Sequence, residues 1–469
     1  MRRNIILISI LLCGMVLCWI LYPDRASSGP YLDSAHGNTS YGVKRSATGF
    51  PADYAKGNCA HCHEQHASIG GAEPDPAGGP DKFLLMSPNF SGKTVIPYIQ
   101  SDSVCFYCHY GSGTLQSPAF NNYSYSITFG GNPDATPNNI FNTFNSTSYH
   151  NLYDVYRFIA GLSGSKSFPN FPADSNPCSG CHNVHIAKKS CGKPAGSYDP
   201  TKSAISRPTG HDSLWGDDDI ERLKTNFTSY YQSPYWYGSW NYEPNNSPVY
   251  DGSNLPDYNT FCTDCHNNTN IIYSTALGRY LRAIDWVTPG GETGGDKHGK
   301  NDATNGIDID NPYASSPLGI SVGFVLACTD CHEPHGAPNV MLIRQVVNGG
   351  VLYRTISSVT PTAGDCTPPF PAGSKELGYL CNRCHMDDAD AFGGTANKWC
   401  YIHHESTDRP YPLNQCGFCH SGGDGGGGGG ESMSCETVSR NPINCNCCHF
   451  HGSDDNAAPD GRRTNRRTF

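Results

Sequence analysis

Cysteine and histidine recur along this chain at one spacing that can do chemistry. Two cysteines stand three apart and a histidine follows directly: Cys59-x-x-Cys62-His63, Cys105-x-x-Cys108-His109, Cys178-x-x-Cys181-His182 and Cys262-x-x-Cys265-His266. The pattern returns as Cys328-x-x-Cys331-His332, Cys381-x-x-Cys384-His385, Cys416-x-x-Cys419-His420 and Cys445-x-x-Cys448-His449. A lone C-x-x-C serves equally as a redox disulfide or as half a zinc site. The fifth residue discriminates. Histidine is 19 of 469 residues, yet it follows all eight pairs, a coincidence with a chance on the order of 10⁻¹¹. Neither zinc nor dithiol chemistry requires histidine there. Covalent haem c does, because both thiols add across the haem vinyl groups and the next imidazole then lies under the iron as its proximal ligand. The spacing therefore predicts eight covalently held haems c.

Eleven histidines lie outside the proximal positions, and eight six-coordinate irons would need eight of them. Three follow a proximal histidine by three residues: His66 in C-H-E-Q-H, His185 in C-H-N-V-H and His335 in C-H-E-P-H. On one helical turn such residues share a side, about 5–6 Å apart. The distal face of a haem lies across the macrocycle from its proximal histidine, so each of these three is expected to bind a different haem. Their place at motifs one, three and five suggests pairing of the first haem with the second, the third with the fourth and the fifth with the sixth. His150 and His211 stand beside expected helices and are further distal candidates. His36, His298, one of His403 and His404, and His451 complete the set, while His61, inside the first attachment loop, has no assignment.

The elements that must position these groups are short. Hydrophobic residues make up only 37% of the chain, while Gly contributes 52 residues and Pro 34. Such a composition gives many turns and cannot fill a large core with side chains alone. The motif intervals run 46, 73, 84, 66, 53, 35 and 29 residues, with no fixed period, so this is not a solenoid of equal units. About 55 residues per haem is too little for separate cores, and the macrocycles are expected to form the interior themselves. The fold class is thus a multihaem cytochrome c, with loops and short helices around a stacked chain of eight haems and one minor β-hairpin. A short amphipathic helix is expected over Asn151–Ala160 and another over Asp217–Lys224. The hairpin is expected from Val340–Val347 and Val351–Ser357 around Asn348-Gly349-Gly350. A Gly-rich flexible tract, 422–430, precedes the last haem segment.

Residues 1–28 read as an export signal: Arg2 and Arg3, an apolar run from Ile5 to Leu21, then Ala26-Ser27-Ser28 as a cleavage site. A run of this length also approaches that of an uncleaved membrane anchor, and the small residues favour cleavage. Residues 29–469 then form one octahaem domain with no membrane span, exported to the cell surface or beyond, or held in the periplasm or at the outer membrane. Cys191, Cys366, Cys400, Cys435 and Cys447 remain outside the haem motifs, and disulfides are expected among them in an oxidising compartment. A net charge of −10 argues against a nucleic-acid partner.

With eight C-x-x-C-H motifs and three C-H-x-x-H doublets, the chain resembles multihaem c-type cytochromes of the outer surface of metal-reducing bacteria, including members that polymerise into conducting filaments. The resemblance implies a continuous stack of mostly bis-histidine haems. It also implies electron exchange with other cytochromes or with extracellular acceptors such as metal oxides. In filaments of that family a neighbouring subunit can supply a distal ligand. The other functional class is an octahaem oxidoreductase acting on a small nitrogen or sulfur compound, which needs one iron with an open position. All eight motifs here end in histidine and distal candidates are in surplus, which favours electron transfer without catalysis.

Overall fold

Frequent glycine and proline keep the elements of this chain to a few residues each. The computed structural model describes residues 30–46, 53–64, 83–110, 115, 140–161, 171, 174–187, 219–226, 256–281, 284, 286, 326–347, 350–352, 355–357 and 380. They form short helices, one-turn 3₁₀ segments and three two-stranded antiparallel sheets joined by loops. No helix among the described residues is long and apolar enough to cross a membrane. The expected export signal at residues 1–28, the C-x-x-C-H motifs from Cys381 onward, the Gly-rich tract and the five extra cysteines lie outside the described residues.

The longest helix among the described residues, Leu152–Gly161, matches the expected one within a residue. It starts where it does because the Asn151 side chain accepts from the backbone N–H of Tyr153 (2.9 Å) and of Asp154 (3.1 Å), which no helical carbonyl could satisfy. Its apolar face buries Leu152 and Ile159, the latter against Phe171. It lies over the Pro177–Gly180 turn of the third motif. Gly180 permits that approach, since a Cβ there would stand 2.2 Å from the Ile159 Cδ1. The second expected helix begins as a 3₁₀ turn at Asp219–Glu221 and continues over Leu223–Asn226, two residues beyond the expected end.

An aromatic cluster supplies the apolar interior beside the second motif. Phe106, the residue after Cys105, meets Phe141 edge-on at 5.3 Å between ring centroids, and Tyr98, Phe144 and Leu152 close the cluster. Phe141 and Phe144 come from the Ile140–Phe144 helix, so this element anchors the segment leading to His150. The strand Ser148–Tyr149 then pairs with Gly336–Ala337, setting Tyr149 opposite Gly336.

Two strand features differ from expectation. The expected hairpin exists only as Val346–Val347 paired with Gly350–Val351. Val340–Leu342 forms a tight turn instead, with Met341 and Leu342 at φ of 56° and 60°. Backbone groups around this turn bond the fifth motif: Glu333 N–H donates to Leu342 (2.8 Å) and Arg344 N–H to Cys331 (2.9 Å). A second hairpin, Tyr273–Ser274 with Arg279–Tyr280, was not anticipated; Gly278 at φ 64° allows its turn.

Candidate functional site

All five described C-x-x-C-H motifs adopt one backbone turn. The histidine N–H donates to the carbonyl of the first cysteine at 2.9 Å in His63, 3.0 Å in His109, 2.9 Å in His182, 2.9 Å in His266 and 3.0 Å in His332. That turn brings both cysteines of a motif to one side, which two thiols reaching one planar group require. Side-chain caps start several of these turns. Asn58 accepts from Ala60 N–H at 2.9 Å, Asn176 from Cys178 N–H at 3.0 Å and Asp257 from Thr260 N–H at 2.9 Å. None of the ten cysteines in these motifs forms a disulfide. Burial pushes the Cys62 thiol up to about 11 and the Cys108 thiol to about 12.

The first and fifth motifs share a further layer. His63 Nδ1 bonds the Phe83 carbonyl at 3.0 Å, and His332 Nδ1 bonds the Met341 carbonyl at 2.9 Å. Each histidine also faces a bridging residue, Leu85 or Ile343. In both turns the residue just before the bridge has positive φ, 53° at Leu84 and 60° at Leu342, and this aims the preceding carbonyl at the imidazole. A ring held at Nδ1 has one orientation and keeps Nε2 for a metal.

The histidines meet in four pairs, each joining a proximal candidate to a distal one. Ring centroids lie 6.3 Å apart for His63 and His185, 6.1 Å for His109 and His36, 6.0 Å for His182 and His335, and 5.9 Å for His266 and His150. The ring planes are within 10° for His63–His185 and 8° for His182–His335, and diverge by 36° for His150–His266 and 62° for His36–His109. Two imidazoles on opposite sides of one metal, with metal–nitrogen bonds of about 2.0–2.1 Å, have centroids roughly 6.2 Å apart at any mutual rotation. All four pairs meet that separation.

The pairing departs from sequence order. His185, from the third motif, reaches back to the first motif's His63, and His335, from the fifth, reaches back to the third motif's His182. The expected pairing of third with fourth and fifth with sixth is therefore corrected: each described doublet joins its motif to the one two places earlier. The pairing of first with second rests on His66, which lies outside the described residues. The fifth motif's doublet is also not one helical turn. The helix of the fifth motif ends at Cys331 and His332 is already extended (φ −113°, ψ 140°), so His332 and His335 do not lie on one helical face. Cys105 lies beside Cys178 and Cys262 beside Cys328, which puts the second motif next to the third and the fourth next to the fifth.

The distal partners of the even motifs arrive by a device used twice. Ser34-Ala35-His36 lies against the chain just after the third motif's doublet, with Ala35 N–H donating to Ala187 at 2.7 Å. Ser148-Tyr149-His150 lies likewise against Gly336–Ala337 after the fifth motif's doublet, and His150 Nδ1 bonds the Pro334 carbonyl. The shared Ser-x-His is a faint sequence signal for both. His61 serves the scaffold. It is fully buried, its Nδ1 accepts from Arg45 N–H (3.1 Å), and its Nε2–H donates to the Ala55 carbonyl (2.9 Å). His66, His211, His298, His403, His404 and His451 lie outside the described residues.

Burial favours the neutral ring, the form that binds a metal, at His36, His109, His150 and His185. It pushes His109 down to about 3, with His36, His182 and His335 adding to the effect, and it lowers His36, His150 and His185 as well. No protein-family model, curated protein or solved structure matches the chain.

Proposed function

We propose that this protein is an extracellular electron carrier whose C-x-x-C-H motifs hold eight covalent c-type haems, most of them between two histidines. Haem supplies reversible one-electron chemistry at iron. The observation that carries the reading is the set of four His–His pairs at 5.9–6.3 Å, each uniting a motif histidine with a histidine from elsewhere in the chain. Cys59 and Cys62, Cys105 and Cys108, Cys178 and Cys181, Cys262 and Cys265, and Cys328 and Cys331 are the thioether donors. Two strong-field imidazoles on each iron leave no position for a substrate, so these pairs serve electron transfer and not bond chemistry. Bonds from His63 and His332 to backbone carbonyls hold their rings in one orientation, which keeps reorganisation on reduction small.

The order of the motifs supports a continuous path. The doublets tie motifs one, three and five into a spine, and the second and fourth motifs lie against it. Each doublet histidine among the described residues serves the motif two places earlier. Assembly into a filament is supported by the resemblance to filament-forming multihaem cytochromes. Mass spectrometry of the purified native protein is expected to show eight covalent haems, and electronic and EPR spectra to show low-spin iron throughout. A stoichiometric high-spin haem that binds cyanide or nitrite would overturn the pure-carrier reading. Electron microscopy is expected to show filaments in native material, and monomers alone would overturn the assembly.

A further inference from the structure

The residue after the proximal histidine differs among the three doublets: Glu64 in the first motif, Asn183 in the third and Glu333 in the fifth. In the third, the Asn183 side chain accepts from the backbone N–H of His185 at 3.1 Å. In the fifth, Glu333 takes the same place, with Oε1 accepting from His335 N–H at 3.3 Å, and the same oxygen also accepts from the ring Nδ1–H of His335 at 2.9 Å. Glu333 is only 6% exposed. His63, His150 and His332 by contrast give Nδ1 to neutral backbone carbonyls.

We propose that Glu333 is a positioning residue that sets the potential of the third haem, the one between His182 and His335, below that of the first, between His63 and His185. The proposal rests on the bis-histidine reading above. A carboxylate on Nδ1–H draws the proton toward itself and makes the imidazole a stronger electron donor at Nε2. The more electron-rich ligand and the nearby negative charge both favour ferric over ferrous iron. Burial strengthens the effect, because water does not screen it. The first haem's distal ligand, His185, has a neutral amide in the corresponding position. Two irons that share the doublet segment from His182 to His185 are thereby given different driving forces.

The test is a potentiometric titration of the full-length haem-loaded protein, followed by EPR, for wild type, Glu333→Gln and Asn183→Glu. Glutamine keeps the acceptor for His335 N–H but removes the charge. In Glu333→Gln the protein is expected to retain all eight haems by mass and remain low-spin. One reduction step is expected to move to higher potential by about tenfold in its equilibrium, ~59 mV for one electron. An unchanged titration curve with low-spin haems would overturn the proposal. If Glu333→Gln instead loses low-spin iron, Asn183→Glu decides: a step moving to lower potential supports the proposal, and an unmoved curve overturns it. Absence of covalent haem from the wild-type protein would overturn the underlying reading instead.

Discussion

Replacing Gly336 with alanine should break one of the four histidine pairs without touching a ligand. Gly336 follows His335 and lies across from Tyr149 in the antiparallel pair that also carries His150. A methyl at Gly336 would stand 2.1 Å from the Thr143 carbonyl oxygen and 2.9 Å from that of Ser148. Carbon and oxygen approach no closer than about 3.3 Å without strain, so the backbone must retreat by roughly 1.2 Å. Both obstructing atoms are backbone, and no side chain can swing away. Overpacking of this kind costs about 1–3 kcal/mol. A retreat of this size also exceeds the slack in a metal–nitrogen bond of about 2.0–2.1 Å. Gly336→Ala should therefore lower the melting temperature and turn one haem in eight high-spin by EPR. Gly161→Ala is the control: nothing lies within 4 Å of its Cβ position, and its stability should stay within about 0.5 kcal/mol of wild type. A Gly336→Ala protein with unchanged melting and wholly low-spin iron would refute the reasoning.

His185→Ala should open the iron of the first motif alone, giving one carbon-monoxide-binding haem while the others stay low-spin; a fully low-spin spectrum would remove His185 from the ligand set. His61→Ala should do the reverse. It loses two partly buried hydrogen bonds and leaves a cavity, for about 2–4 kcal/mol by denaturant unfolding, with no iron changing spin state. Asp257 governs a pH dependence. Burial raises its pKa above the ordinary carboxylate value, against the opposing pull of bonds from Thr260 and Asn226. The native state then holds a proton that the unfolded chain has already released, so this group's contribution to stability is lost as pH rises from the ordinary carboxylate range through the raised value. Asp257→Asn keeps the Thr260 N–H cap and carries no charge, and should flatten the unfolding midpoint across that window, while it loses the bonds that Oδ2 accepts from Asn226 and the Thr260 hydroxyl. Asp257→Ala removes the cap and should cost about 1 kcal/mol at the acid end of that window, and less as pH rises through it.

Where interactions were local, the residues announced them. Asn151 before an apolar stripe marks the start of the Leu152–Gly161 helix, because a cap and a helical period are contained in one segment. The hairpin near Asn348 was legible as a pairing but not in its length. The turn at Met341 and Leu342 takes its backbone bonds from the fifth motif, a partner that strand propensity does not see. The hairpin at Tyr273–Tyr280 lacks the Asn-Gly type of turn signal and went unread. His61 resembles the neighbouring motif histidines in sequence and is set apart by two bonds to backbone, one accepted from Arg45 N–H and one donated to the Ala55 carbonyl.

The spacing of cysteine and histidine by itself determined the number of motifs and the shared turn that the five described ones adopt, because C-x-x-C-H is one turn of backbone. It also set the expectation that a doublet histidine serves a neighbouring motif. Which neighbour it serves was decided only in the tertiary structure. His185 meets His63 across 122 positions of sequence, and His36 meets His109 across 73. Those meetings depend on where Ala35 bonds Ala187 and where Tyr149 faces Gly336. Contacts of that kind are selected by the packing of whole segments, and no single stretch of the chain encodes them.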